Sequence, residues 1–162
     1  MPSVLFICTA NRCRSPMAAG LFAHLIQQSG GAVDWQVSSA GTWAVENLPA
    51  MSLARSVMQQ KTVDISHHRS RMLTGDMLRA ADVVLVMTRH QHEAICAEFP
   101  AEASKVFLLS ELIGQRFDID DPIEGPEEDY RRCADDIQHI LRTGYARLVQ
   151  LADRTSATPP SN

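Results

Sequence analysis

The sequence predicts an α/β fold: a single-domain, three-layer sandwich in which a parallel sheet is flanked by helices. Three observations carry this. Val4-Leu5-Phe6-Ile7, Val83-Val84-Leu85-Val86 and Val106-Phe107-Leu108-Leu109 are short continuous apolar runs, the pattern of strands buried on both faces. Segments of helical periodicity separate them, and such alternation implies parallel strands with crossover helices. The segment Cys8-Thr9-Ala10-Asn11-Arg12-Cys13-Arg14-Ser15-Pro16 follows the first run directly and leads into the first helix.

Taken in order, Val4–Ile7 is the first strand. Ser15 suits a helix N-cap and Pro16 a first helical position. Met17, Ala18, Leu21, Phe22, Leu25 and Ile26 then recur at helical spacing until Ser29-Gly30-Gly31 stops the pattern. Trp35 to Ser39 reads as a short strand and Leu53 to Met58 as a modest helix. Asp82 to Met87 and Val106 to Leu109 are central strands with a crossover helix, His90 to Phe99, between them. Pro126 to about Ala152 reads as one long closing helix with Tyr130, Cys133, Ile137, Ile140, Leu141, Gly144 and Leu148 on one stripe. The domain is expected over 1–152, and the Ser-, Thr- and Pro-rich tail over 153–162 is expected to be disordered.

At 162 residues the chain can bury a substantial core without metals or disulfides. A net charge of -4 and a pI near 5.8, without a basic stripe, argue against nucleic acid as a partner. There is no apolar run of about 18 residues and no charged leader before an apolar stretch, so no membrane partner and a cytoplasmic location are expected. Four cysteines without framework spacing fit a reducing compartment.

The chemistry concentrates in the loop after the first strand. A loop entering a helix N-terminus presents backbone N–H groups and a helix dipole to an anion. Such a setting favours a thiolate, which is the nucleophilic form of cysteine, so Cys8 is the candidate nucleophile. Arg14 carries a planar fork that matches two phosphate oxygens. Ser15 is expected to turn its hydroxyl to the Cys8 sulfur rather than cap the helix. The site should lie at the carboxyl ends of the strands, which the acidic segment Ser110 to Gly125 can also reach. Asp121, stiffened by Pro122, is the candidate general acid, and a mildly acidic optimum follows if it is protonated while Cys8 is charged.

These residues closely resemble the low-molecular-weight protein tyrosine phosphatases, from Ser3 to about Ala152: the Cys8 to Pro16 loop, Ser39-Ala40-Gly41-Thr42, His68-Arg69-Ser70-Arg71, the Asp82 to Met87 strand and Asp121-Pro122. The resemblance implies a four-stranded parallel sheet and a reaction through a cysteinyl-phosphate with no metal and no cofactor. It implies that the substrate is a phosphorylated protein or peptide, with phosphotyrosine favoured, and that the protein is a monomer or weak homodimer. Cys8 is then nucleophile, Arg14 phosphate ligand, and Asp121 first acid and then base. The loop from Thr9 through Ala10, Asn11, Arg12 and Cys13 to Ser15 completes the cradle, and Trp43 offers a wall for the substrate ring. Asn11, Ser15, Ser39 and His68 match the family's supporting hydrogen-bond network. Cys13 is either a resolving partner for oxidised Cys8 or a packing residue.

Three departures from the family pattern carry expectations. Ala10 replaces a common Gly, which implies strain if that position needs a positive φ. Arg12 is expected at the pocket mouth, favouring acidic phosphopeptides or a second phosphate, or else extended into solvent. Ile123-Glu124 stands where many relatives have aromatics. The alternatives are a protein arginine phosphatase, disfavoured by the charge on Arg12; an arsenate reductase, which would need further cysteines near the site; and an inactive phosphate-binding module.

Overall fold

The computed structural model describes residues 1–31 and 33–157. Four parallel strands, β1 (Ser3–Cys8), β2 (Gln36–Gly41), β3 (Val83–Val86) and β4 (Val106–Leu108), form one sheet in the order β2-β1-β3-β4. The helices are α1 (Arg14–Gln28), α2 (Ser52–Gln60), α3 (Gly75–Ala80), α4 (Arg89–Glu98), α5 (Glu127–Thr143) and α6 (Tyr145–Ser156).

The apolar runs work as two-faced strands. Val4, Phe6, Val83 and Leu85 join one core cluster with residues of α1, α2, α5 and α6. Leu5, Ile7, Val84 and Val86 join a second with residues of α3 and α4. Successive strand side chains alternate between faces, so a continuous apolar run is what a three-layer sandwich requires. The strand order reverses direction of growth between β1 and β3. At such a switch point the loops leaving neighbouring strands part and open a crevice, and the loop from Thr9 to Cys13 leaves β1 there.

The helical layer differs from the sequence expectation in four places. The closing helix is two helices, broken at Gly144: a side chain on Gly144 would come within 2.5 Å of Leu112 Cβ, so the chain bends where only glycine fits. The tail is helical further than expected, since α6 continues through Arg154 and Thr155 to Ser156; the remainder, 158–162, lies outside the described residues. The six-residue α3 escaped the periodicity, being too short to show one, although Thr74 caps it by accepting from the Met77 N–H. Pro16 is the third residue of α1 rather than the first. Among the described residues no helix is long and apolar enough to cross a membrane.

Candidate active site

The loop between β1 and α1 is held from outside by its carbonyl groups. The Cys8 oxygen accepts from Thr42 N–H at 3.0 Å, Thr9 from Trp43 at 2.9 Å, Arg12 from Met51 at 2.8 Å and Cys13 from Met17 at 3.1 Å. The Asn11 carbonyl accepts from His68 Nε2 at 2.7 Å; a carbonyl only accepts, so that nitrogen carries the ring proton. With the carbonyls turned outward, the N–H groups of Thr9 to Cys13 donate to no protein group among the described residues. Successive N–H groups converging in this way form a nest for an anion.

Asn11 is the bend of this loop. It is fully buried with φ of 57°, a left-handed conformation that Asn tolerates better than most residues. Ala10 is therefore not the strained position: the positive φ falls one residue later, and the expected cost at Ala10 does not arise.

The Asn11 side chain organises a directed chain of hydrogen bonds. Its Oδ1 accepts from Arg71 N–H at 3.0 Å, which fixes Nδ2 as the donor end. Nδ2 donates to Ser39 Oγ at 3.0 Å and Ser15 Oγ at 2.8 Å. Since Ser15 Oγ accepts there, its own proton is free for Cys8 Sγ, 2.9 Å away. Ser15 thus faces the sulfur, as expected, and Cys13 occupies the N-cap of α1 without a side-chain cap.

Arg14 lies across the floor, 4% exposed. Its Nη1 donates to the Ile119 carbonyl at 2.9 Å, and its Nη2 reaches Thr9 Oγ1 and Asp121 Oδ2, both at 3.3 Å. Its Nε is buried and has no hydrogen-bond partner among the described residues. Asp121 brings its other oxygen to the Ile123 N–H at 3.1 Å, an Asx-turn that sets the carboxylate in place. Of the neighbouring acids, Asp118 is engaged by the Arg89 backbone and side chain, which hold its carboxyl below the ordinary range, and only Asp121 reaches Arg14.

The sequence-derived set comes together as Cys8, Arg14, Ser15, Asn11, Ser39, His68 and Asp121, with the Thr9–Cys13 backbone. Trp43 stands at the rim, its N–H bonded to the loop and its side chain 80% exposed. Arg12 departs from expectation: it is half-buried, with Nε donating to the Pro49 carbonyl at 2.8 Å, and is neither free at the mouth nor extended into solvent. Cys13 is buried and its thiol is pushed up, foremost by burial and then by Cys133, Asp121 and Cys8, so it stays protonated. Burial likewise pushes Cys133 up to about 12.

Two contributors were missed. Gln91 donates to Thr9 Oγ1 at 3.1 Å while its Oε1 accepts from Met87 and Thr88 N–H. The Thr88-x-x-Gln91 spacing of a capping box is a signal that could have marked the start of α4, but its reach to the loop has no local signature. Gly41 closes β2 so near the loop that a Cβ would lie 2.4 Å from the Thr9 oxygen and 2.9 Å from Asn11 N. Gly41→Ala should therefore displace the loop and lower stability by about 1–3 kcal/mol, read as a reduced urea midpoint at unchanged slope.

His68 supplies a pH dependence. Burial is the largest influence and holds its imidazole below the ordinary 6.5, against the opposing hydrogen bond to Asn11. The unfolded chain then takes up the proton first, so the His68 contribution is complete above about pH 6.5 and is lost as the pH falls toward the lower folded value. His68→Gln, which keeps an N–H donor, should show a smaller loss of urea midpoint between about pH 7.5 and about pH 5.5 than wild type.

A thiol under an anion nest, beside a buried arginine and a carboxylate, at the switch point of a parallel sheet, defines a phosphate-ester enzyme of the cysteine-nucleophile class. The chain belongs to the low molecular weight phosphotyrosine protein phosphatase family, whose model matches residues 3–152. It is 35% identical over 140 residues to a protein-arginine-phosphatase of Bacillus subtilis, covering 86% of this chain and 91% of that one. It is 42% identical over 120 residues to a probable low molecular weight protein-tyrosine-phosphatase of Ralstonia solanacearum, covering 74% and 77%. The crystal structure of the low molecular weight protein tyrosine phosphatase from T. tengcongensis superimposes with a TM-score of 0.86 at 35% identity, covering 91% of this chain and 99% of that one.

Proposed function

We propose that this phosphatase hydrolyses phosphotyrosine monoesters in protein or peptide substrates through a cysteinyl-phosphate on Cys8. The observation that supports it most is the set of unspent donors at the site: the buried Arg14 Nε and the amides of Thr9 to Cys13, all without a protein acceptor among the described residues. A buried donor without a partner costs about 1–3 kcal/mol, and a phosphoryl group supplies the missing acceptors.

In the first step Cys8 Sγ attacks phosphorus as the ester P–O bond breaks, and Asp121 gives its proton to the leaving oxygen. Arg14 and the loop amides carry the charge on the three phosphoryl oxygens. In the second, the Asp121 carboxylate takes a proton from water, whose oxygen attacks phosphorus, and the P–S bond breaks. Phosphate leaves and Cys8 departs as thiolate, accepting the Ser15 hydroxyl proton in a hydrogen bond.

A second reading, hydrolysis of phosphoarginine, gains from one observation. The charge on Arg12 was the argument against it, and Arg12 is drawn aside to the Pro49 carbonyl. Matched phosphotyrosine and phosphoarginine peptides, with a small aryl phosphate, should be compared at mildly acidic pH without added metal. Higher kcat/KM on phosphotyrosine supports the main reading, and preference for phosphoarginine replaces it by the second. Binding of either without turnover would leave a recognition module.

A further inference from the structure

Behind the catalytic loop, between α1, the outer edge of β2 and the segment 62–71, lies an open groove of about 580 Å³. Its charged and titratable lining is His24, Asp64, His67, His68, Arg69 and Arg71. In a chain of net charge -4, this lining is cationic. The one acid, Asp64, is held below the ordinary range by hydrogen bonds from Ser66, foremost from its hydroxyl and then from its N–H at 2.8 Å. Among the described residues neither Arg69 nor Arg71 has a carboxylate within ion-pair distance. Among the described residues Arg69 donates to the Ser66 and His68 carbonyls, and Arg71 spends its Nε on the Ser39 carbonyl at 2.9 Å.

Two of these residues grip the catalytic loop from the groove side. His68 donates to the Asn11 carbonyl and the Arg71 backbone to Asn11 Oδ1. Anything that changes the charge of His68 therefore acts on the residue whose left-handed turn shapes the loop.

We propose that this groove binds a small multivalent anion, of the di- or tricarboxylate or diphosphate class, and couples it to the catalytic loop through His68 and Asn11. Arg69 and Arg71 supply the standing positive charge, and protonation of His68 adds to it. Around His68 the neighbouring groups are His67, Arg69 and Arg71, each of which disfavours its protonation, with Asp64 across the groove. An anion offsets that repulsion and favours the imidazolium. A charged ring donates a stronger hydrogen bond to the Asn11 carbonyl. By reciprocity, protonation tightens the anion. The coupling rests on the loop's proposed role, whereas binding in the groove does not.

Citrate titrated into the full chain, followed by NMR and thermal unfolding, tests this. At about pH 6 citrate should move the ring signals of His24, His67 and His68 together with the Asn11 amide, and should raise Tm. Its affinity should rise severalfold as the pH falls from about 7.5 to about 5.5, as His68 takes up its proton. The double variant His24→Ala/Arg69→Gln should lose at least about tenfold of that affinity while turnover of an aryl phosphate without citrate is unchanged. Shifts confined to the Thr9–Ser15 loop with equal affinity in the double variant, pH-independent affinity, or no shifts at all would each overturn the proposal. Groove binding in a protein that turns over no phosphoester would sink the proposed function and leave the groove standing.

Discussion

Cys8→Ser is expected to reduce phosphoester turnover by at least about 10⁴-fold while leaving the fold intact. The substitution changes one atom in a buried position, where Sγ is 2.9 Å from Ser15 Oγ. A serine hydroxyl remains protonated at neutral pH, so the Ser15 proton and the nest of amides would surround a neutral group that attacks phosphorus poorly. The anion site itself survives, because Arg14 and the Thr9–Cys13 amides are untouched. Steady-state kinetics on an aryl phosphate, paired with calorimetric binding of inorganic phosphate, checks both halves. Retained turnover would remove Cys8 from the chemistry, and lost phosphate binding would mean that the variant had disturbed the loop instead.

Asp121→Asn is expected to lower kcat/KM by about 10²–10⁴-fold, with an effect that depends on the leaving group. An alkyl or phenolic oxygen needs a proton as it departs, and the carboxamide has none to give. A strongly acidic phenol leaves as its anion without help, so the loss should shrink for such an ester. The carboxylate also contacts Arg14 Nη2 at 3.3 Å, so the amide variant alters the arginine's setting without deleting its partner. A series of leaving groups separates the roles: the loss in Asp121→Asn should be large for alkyl and weakly acidic phenol esters and small for a strongly acidic phenol. An equal loss across the series would assign the proton to another group.

Much of the site was legible because it is local in sequence. Cys8, Arg14 and Ser15 lie within eight residues, and the strand before them and helix after them are set by apolar pattern and by how a helix begins. Asp121 was reachable through its Asp-Pro signature although more than a hundred residues separate it from Cys8. What was not legible depends on contacts between distant segments. The sequence offered Ala10 as a strained position, and only the pinning of the Asn11 carbonyl by His68 and its Oδ1 by Arg71 moves the left-handed turn to residue 11. The charge of Arg12 was plain, but its direction is set by a carbonyl 37 residues away at Pro49. Gln91 went unmarked in the sequence, and its link to Thr9 exists because β3 lies beside β1 in the sheet. The break at Gly144 was hidden inside a single apolar stripe, since periodicity records which face is buried and not whether Leu112 leaves room for a side chain.

The sequence by itself determined the layer architecture and named the candidates for nucleophile, phosphate ligand and acid, because buried strands are marked by residue type and reactive side chains by local motifs. The tertiary structure alone decided which way the loop's amides face, where its bend falls and what lies behind it. Those follow from hydrogen bonds and close approaches between segments that only the folded sheet brings together.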